Sequence, residues 1–327
     1  MKKRILAVLI ATALAVSVTG CAGNATSSSD STSASSVAES SDTSTQTSAD
    51  ASSEDESKEE SSQEESKDLE ANYTKYTLDG DLTQHMIDMS RLNEGNKVRL
   101  ANVIKKLKNG EEVTVGFIGG SITQGTSAGN DLCYAKLTAD WLQQTYSNAK
   151  INYVNAGIGA TGSYIGVHRV ENDLLSKKPD LVFVEFSVND TTENTERNKK
   201  SYDGLLRTIW KSSTNPAIIT IATTQEDGTS FQDQHAEIVK HYDLPMISYR
   251  NTILDTIKHG DIVWKNISDD NIHPNVPGHK IVSQLLQAYI SDVDKDVDNI
   301  SGSESDFTTP ATDAPIENGS LIQPSSA

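Results

Sequence analysis

The sequence predicts an α/β fold, a three-layer α/β/α sandwich around a parallel central sheet. From residue 113 onward, apolar segments of strand length alternate with amphipathic segments of helix length. Parallel strands joined by helical crossovers produce this alternation. The nearly unbroken apolar run at residues 181–186 also indicates a strand that is buried on both faces, as in the central layer of such a sandwich.

Each element is assigned from its apolar pattern and its flanking turn residues. The predicted strands are Val113–Gly119, Ile151–Asn155, Leu181–Ser187, Ala217–Ala222 and Pro245–Ser248. The predicted helices are Asn96–Asn109, Tyr134–Tyr146, Tyr164–Ser176, Lys199–Lys211 and Phe231–Tyr242. We interpret residues 72–94 as an ordered arm, so that 72–110 forms an N-terminal arm and helix within a single domain of residues 72–291.

The N-terminus is typical of an exported lipoprotein. Lys2, Lys3 and Arg4 precede an apolar run that is too short to span a bilayer, as in a signal peptide. The segment Val18-Thr-Gly-Cys21 resembles the lipobox of bacterial lipoproteins, which implies cleavage after residue 20 and a lipid on Cys21. We therefore expect the protein to be anchored to the outer face of the cell membrane; an ordinary secretory signal is the alternative.

Low-complexity acidic segments flank the predicted domain. The formal net charge is −18, and residues 22–70 contain 13 acidic residues against two lysines, in a sequence dominated by Ser and Thr. Such a segment buries too little apolar surface to fold, so residues 21–71 are predicted to form a disordered tether. Residues 292–327 have a similar composition and are predicted to be a disordered acidic tail. This charge argues against nucleic acid as a partner.

Cysteine and histidine usage predicts neither a disulfide nor a metal site. With Cys21 lipidated, only Cys133 remains, and it opens an apolar stretch typical of a buried position. The histidines lack neighbouring carboxylates or cysteines at the spacing of metal ligands. We expect no metal and no cofactor.

Ser121 and the pair Asp270 and His273 are the candidate catalytic residues. Ser121 directly follows the first predicted core strand and is preceded by Gly119 and Gly120, which indicates a tight strand-to-helix turn with an exposed hydroxyl. Asp270 and His273 lie three residues apart on a loop before the last helix. In this arrangement, the carboxylate holds the imidazole as the base for a serine nucleophile.

Two further segments end neighbouring predicted strands, where hydrogen-bond donors to an oxyanion are needed. Residues 155–162 follow the second strand and Val188-Asn189-Asp190 follows the third. Backbone N–H groups of the glycine-rich segment, the N–H of Ser121 and the Asn189 amide are the candidate donors.

These four segments, in this order, resemble those of the SGNH hydrolases, also called GDSL esterases and lipases. The resemblance covers about residues 113–289. It implies a flavodoxin-like sandwich that hydrolyses acyl esters without a metal, with Ser121, Asp270 and His273 as the triad. An ungapped match places Ala160 at the usual oxyanion glycine, and Gly159 is the alternative donor.

Two other positions depart from the family pattern beside the proposed chemistry. Gly120 replaces the Asp of the GDSL signature, which removes a polar group next to Ser121. Ser187 stands where many members have Gly.

Other functions compete with a serine esterase. Residues 157–162 fit a Gly-x-Gly-x-x-Gly dinucleotide fingerprint with Glu185 downstream, which would make the protein an oxidoreductase. The glycines near residue 120 have phosphate-loop spacing, but Thr126 replaces the required Lys. A surface-binding module that has lost catalysis, or a lipase or thioesterase of the same mechanism, are further alternatives. We favour hydrolysis of acetyl esters on carbohydrate, with an acylated small molecule or a polysaccharide as the substrate.

Overall fold

A six-stranded sheet organises the part of the chain that the structure describes. The structure, a computed structural model, describes residues 73–192, 194–317 and 319–320. The strands are β1 (Arg91–Asn93), β2 (Glu112–Gly119), β3 (Lys150–Gly157), β4 (Leu181–Glu185), β5 (Ala217–Ala222) and β6 (Met246–Ser248). Their order is β1-β6-β5-β4-β2-β3, and every pair is parallel except β1 with β6.

Helices cover both faces of this sheet. They are α1 (Gln84–Ser90), α2 (Val98–Lys108), α3 (Ser121–Gln124), α4 (Tyr134–Thr145), α5 (Ser163–Asp173), α6 (Thr195–Trp210), α7 (Gln232–His241), α8 (Tyr249–Lys258), α9 (Trp264–Ile267) and α10 (Val276–Lys295). Side chains of α2, α4, α8 and α10 join one apolar cluster, and those of α5, α6 and α7 join a second. The predicted α/β/α sandwich is therefore confirmed.

The strands divide their side chains between the two clusters by simple alternation. In β4, Phe183 belongs to the first cluster, whereas Val182 and Val184 belong to the second. All five residues of β4 are buried, because the strand lies in the interior of the sheet. Burial on both faces explains why its sequence is nearly continuous in apolar residues.

The N-terminal arm and α8 add elements that the apolar pattern did not specify. Within the predicted arm, α1 leads into β1, which extends the sheet at its edge as an antiparallel strand. The helix α8 follows β6 without a loop, because the Ser248 side chain caps it by accepting a hydrogen bond from the N–H of Asn251 at 2.9 Å. The arm elements α1 and β1, with seven and three residues, are too short for a clear periodicity.

The prediction of a disordered tail from residue 292 is wrong for residues 292–317. The helix α10 continues to Lys295, and the chain then packs against α6 and α7. The ring of Phe307 stacks on Tyr242 at 3.9 Å and on Trp210 at 4.5 Å between centroids. This segment is ordered although it contains few apolar residues, because aromatic stacking and ion pairs, such as that between Lys211 and Glu317, hold it in place.

The export signal, Cys21 and the tether to residue 71 lie outside the described residues. Within the described ranges, none of the helices combines the length and the apolar character that crossing a bilayer requires.

Candidate active site

The candidate site lies where three neighbouring parallel strands end together. In the sheet, Gly119 of β2 pairs with Gly157 of β3 on one side and with Glu185 of β4 on the other. The loops that follow these residues therefore leave the sheet at the same edge. This is the edge at which open α/β sheets place their ligands.

Ser121 begins the short helix α3 immediately after β2. Its turn closes at Gly125, which has φ +99° and donates its N–H to the carbonyl of Ser121 at 3.1 Å. The Asn155 side chain donates to the carbonyl of Thr123 at 2.9 Å and accepts from the N–H of Gly157 at 2.9 Å. One amide thus fixes the serine turn against the glycine-rich loop.

A line of hydrogen bonds connects Ser121, His273 and Asp270. The Oγ of Ser121 lies 2.9 Å from Nε2 of His273, and Nδ1 of His273 lies 2.7 Å from Oδ2 of Asp270. Because a carboxylate only accepts hydrogen bonds, we assign the imidazole proton to Nδ1, which leaves Nε2 to accept the serine proton. The structure therefore brings together the three residues that the sequence analysis selected.

Asp270 is held by its own loop. Its Oδ1 accepts hydrogen bonds from the N–H groups of Ile272 at 2.7 Å and His273 at 2.6 Å. Partial burial raises the pKa of the Asp270 carboxyl, but these N–H donors and the His273 ring outweigh burial and hold its pKa below the ordinary value. The carboxylate is therefore charged at neutral pH.

Trp264 and Ser268 support the same loop from beneath. The indole Nε1 of Trp264 donates to the carbonyl of Asp270 at 2.6 Å, and the ring is 7% exposed. The Ser268 hydroxyl lies 2.6 Å from the His273 carbonyl, and Ser268 forms an isolated antiparallel bridge with Pro274. Trp264 therefore positions the Asp270 loop from within the core.

The glycine-rich loop distinguishes between the two candidate donors to an oxyanion. The N–H of Gly159 donates to Oε1 of Gln124 at 2.9 Å and is thereby engaged. Ala160 follows in the left-handed region, with φ +58°, which costs an alanine roughly 1 kcal/mol. This geometry favours Ala160 over Gly159.

Asn189 packs directly against Gly120. A Cβ at position 120 would lie 1.9 Å from Oδ1 of Asn189, although the backbone of Gly120, with φ −86°, is open to any residue. The glycine is needed for space. The departure from the GDSL signature at this position therefore lets the Asn189 side chain approach the serine turn.

A cavity of about 330 Å³ opens beside these donors. Ala160 and Asn189 line it, together with Tyr164 and Arg197. The Arg197 guanidinium lies over the Tyr164 ring, 4.6 Å from the centroid. The cavity thus combines an aromatic side chain with a cation.

Glu185 lies beneath the site and is not available to a dinucleotide. Its side chain is fully buried, and Oε1 accepts hydrogen bonds from the Ser187 N–H at 3.0 Å and from the Thr223 hydroxyl at 2.7 Å. Burial raises the pKa of this carboxyl, while these hydrogen bonds oppose the rise. Ser187 therefore has a structural role. The Glu185 carboxylate, which a dinucleotide fingerprint would require at the surface, is buried and bonded to Ser187 and Thr223.

One group of potential metal-ligand atoms occurs among the described residues. Asp255 Oδ2 lies 2.6 Å from Nε2 of His85 and 3.2 Å from Nδ1 of His259, and Tyr73 stacks on His259 at 4.1 Å. Tetrahedral ligands at about 2.0 Å from zinc lie about 3.3 Å apart, so the 2.6 Å contact fits a hydrogen bond better. The group joins α1 to α8.

Arg169 and His235 are buried beside the site and were not selected from the sequence. Arg169 donates to the carbonyls of Ala156 at 2.5 Å and Gly119 at 2.9 Å, which end β3 and β2. His235 contacts Asp190, the residue after Asn189, at 2.9 Å. Each is far in sequence from the motif it supports, so residue spacing gave no signal.

The sequence model of the GDSL-like Lipase/Acylhydrolase family matches residues 117–281. This range includes every candidate triad and oxyanion residue. A search of the curated proteins finds no significant match.

Solved structures of a two-domain esterase (CEX) active on acetylated mannans are similar to this chain. The one co-crystallized with mannopentaose has 38% identity and a TM-score of 0.64, covering 69% of this chain and 60% of that one. The other has 38% identity and a TM-score of 0.66, over 69% and 61%. This chain thus matches less than two thirds of that esterase. The acetylxylan esterase Axe2 from Geobacillus stearothermophilus is more distant, with 20% identity, a TM-score of 0.47 and coverage of 54% of this chain and 94% of that one.

The burial of His279 should make the stability of the fold depend on pH. The His279 ring is fully buried and its Nδ1 accepts the N–H of Tyr134 at 3.1 Å, while Asn275 caps the helix that contains His279. Burial lowers the pKa of His279 to about 4 from an ordinary value near 6.5. The unfolded chain therefore binds a proton in this window that the folded chain does not, so stability is complete above about pH 6.5 and falls as the pH drops towards 4.

We expect the free energy of unfolding in urea to fall, between pH 7 and 4.5, by about 2 to 3 kcal/mol more in the wild type than in His279→Gln. The Gln oxygen can accept the same N–H without titrating. The exposed His241 gives the matched control, since His241→Gln should retain the wild-type dependence. Equal pH dependence in all three proteins would contradict this assignment.

Proposed function

We propose that this chain, which belongs to the GDSL-like lipase/acylhydrolase family, is a serine esterase that removes acetyl groups from carbohydrate. The observation that carries the proposal is the hydrogen-bonded line of Ser121, His273 and Asp270 at distances of 2.9 and 2.7 Å. A nucleophile, a base and a residue that orients the base are the three parts of acyl transfer through a covalent intermediate.

In the first step, His273 removes the Ser121 proton as Oγ attacks the ester carbonyl. The carbonyl oxygen becomes an oxyanion, which the N–H groups of Ser121 and Ala160 and the Asn189 amide stabilise; one such donor contributes roughly 10²–10³ in rate. The His273 imidazolium, stabilised by the charged Asp270, then returns its proton to the departing alcohol. The product is an acyl-enzyme on Ser121.

In the second step, His273 takes a proton from water, which attacks the acyl-enzyme. The same donors stabilise the second oxyanion; as it collapses, the bond to Oγ of Ser121 breaks, His273 returns its proton to Oγ, and the acid is released. All of these groups belong to this chain.

The cavity beside Asn189 supports a saccharide substrate. An aromatic ring at Tyr164 and the guanidinium of Arg197 give one flat surface and several donors, a pairing that orients polar ligands. The similar esterase is active on acetylated mannans, and a polysaccharide outside the cell fits the expected export of this chain. A lipase or thioesterase of the same mechanism is the alternative, and it would prefer longer acyl chains.

The proposed location is the outer face of the cell membrane, with Cys21 lipidated and the acidic segment 22–70 as a spacer. A tethered esterase of this kind would reach polymeric substrates at a distance from the bilayer.

Ser121→Ala should lower hydrolysis of p-nitrophenyl acetate by at least about 10³-fold while the melting temperature stays near that of the wild type, because the nucleophile is lost and the fold is not. Ser147→Ala, at an exposed position after α4, is the matched control and should leave the rate unchanged. Activity in Ser121→Ala equal to that of the wild type would refute the serine mechanism, whereas no turnover in the wild type itself would leave a binding module as the better interpretation.

Tyr164→Ala should lower kcat/KM for an acetylated manno-oligosaccharide about tenfold and leave kcat/KM for p-nitrophenyl acetate nearly unchanged. Of the two substrates, we expect only the sugar to contact Tyr164. A tenfold loss corresponds to about 1.4 kcal/mol, within the range of an aromatic contact. Tyr164→Phe keeps the ring and should restore the rate. Equal losses on both substrates would show that the ring supports catalysis and not sugar binding.

Cys21→Ser should move the protein from the membrane fraction to the soluble fraction of the exporting cell, because a serine cannot carry the thioether-linked lipid. Cys133→Ser is the matched control, as the buried Cys133 is the other cysteine of the sequence. Retention of Cys21→Ser in the membrane fraction would count against lipid anchoring.

A further inference from the structure

We propose that His235 is a positioning residue for the oxyanion donors, acting through Asp190; this inference rests on the proposed esterase function. Ala160 and Asn189 lie on two different loops, after β3 and after β4, and hydrogen bonds to an oxyanion require both at fixed positions. Asp190 links these loops, because its Oδ1 accepts the N–H of Ser163 at 2.8 Å.

The hydrogen bond between Oδ1 of Asp190 and the N–H of Ser163 takes the place of a side-chain cap on α5. Gly162, at the N-cap of α5, has no side chain with which to cap the helix. A Cβ at Gly162 would lie 2.5 Å from Oδ1 of Asp190, so the glycine makes room for the carboxylate. The positive end of the α5 dipole also favours a negative charge at this point.

His235 holds the other half of the Asp190 carboxylate. Its Nε2 lies 2.9 Å from Oδ2, and the two side chains are buried, with relative exposures of 0% and 1%. The imidazole is clamped by Tyr202, stacked at 3.6 Å, and by the edge of Phe231 at 5.2 Å. Its orientation is therefore set by packing.

The surroundings of the ring also assign its proton. Among the described residues, Nδ1 of His235 has no hydrogen-bond partner. A neutral ring with its proton on Nε2 donates to Asp190 and leaves only a lone pair at the buried Nδ1, whereas an imidazolium would bury an unpaired N–H. His235 therefore acts as a single, fixed donor.

The donor matters because Asp190 also lines the cavity, next to Asn189. With both oxygens bonded, the carboxylate faces Ser163 and His235. Without His235, one oxygen loses its partner and the carboxylate turns towards the cavity, where its charge opposes an oxyanion and its movement displaces Asn189. His235 thus keeps a necessary negative charge away from the reaction.

The experiment compares His235→Phe with His235→Gln. Phe retains the aromatic stack on Tyr202 but removes the donor, so we expect kcat for p-nitrophenyl acetate to fall about 10- to 100-fold with KM within about twofold of the wild type. Gln supplies an amide N–H of similar reach, so kcat should return to within about threefold. If His235→Phe does not fold, His235→Asn replaces it, because its amide is too short to reach Asp190.

His85→Phe is the matched control, since His85 is also a buried histidine bonded to an aspartate, Asp255, but on the arm. It should lower the melting temperature and leave kcat unchanged. A wild-type kcat in His235→Phe, or equal losses in the Phe and Gln variants, would overturn the positioning role.

Failure of the proposed function gives a different result. In that case the wild type shows no turnover that depends on Ser121, and the positioning role is read from the side-chain amide resonances of Asn189 by nuclear magnetic resonance. These should shift in His235→Phe and not in His235→Gln; unchanged resonances in both would overturn it.

Discussion

The parallel pairing of β2 with β3 and β4 is the constraint on which the site depends. It aligns Gly119 with Gly157 and with Glu185, so three strands end at one level and release their loops side by side. Ser121 and the two oxyanion loops thus start from positions fixed by backbone hydrogen bonds. His273 comes from a loop far along the chain, and its 2.9 Å contact with Ser121 depends on where α10 packs against the sheet.

Buried polar side chains under this edge of the sheet hydrogen-bond to the strand ends and to the loops that follow them. Arg169 bonds the last carbonyls of two strands, and Glu185 bonds Ser187 and Thr223. Each is stabilising only because its partners are present, since an unpaired charge in the interior costs several kcal/mol. These hydrogen bonds, together with the glycines, hold the loops at this edge of the sheet.

Much of the fold and the geometry of the candidate triad could be predicted from the sequence, because both depend on local patterns. The core strands carry a continuous apolar signal, and Asp270 and His273 are close enough in sequence to predict their contact. The supporting residues His235 and Arg169 were not predicted, because their partners lie on other loops and strands and no local sequence pattern indicates these contacts. The packing of Phe307 was missed because the composition of the surrounding segment is that of a solvated tail, and its two ring contacts, with Tyr242 and Trp210, outweigh that composition.

The contact between Gly120 and Asn189 makes these two positions interdependent in evolution. A chain with the Asp of the GDSL signature at position 120 needs a different placement of the Asn189 amide, since a Cβ there would overlap its oxygen. Passing from one arrangement to the other therefore requires changes in both loops, and a single Gly120→Asp substitution meets this overlap. Positions 120 and 189 therefore cannot be altered one at a time, and a redesign of the serine turn has to change both loops together.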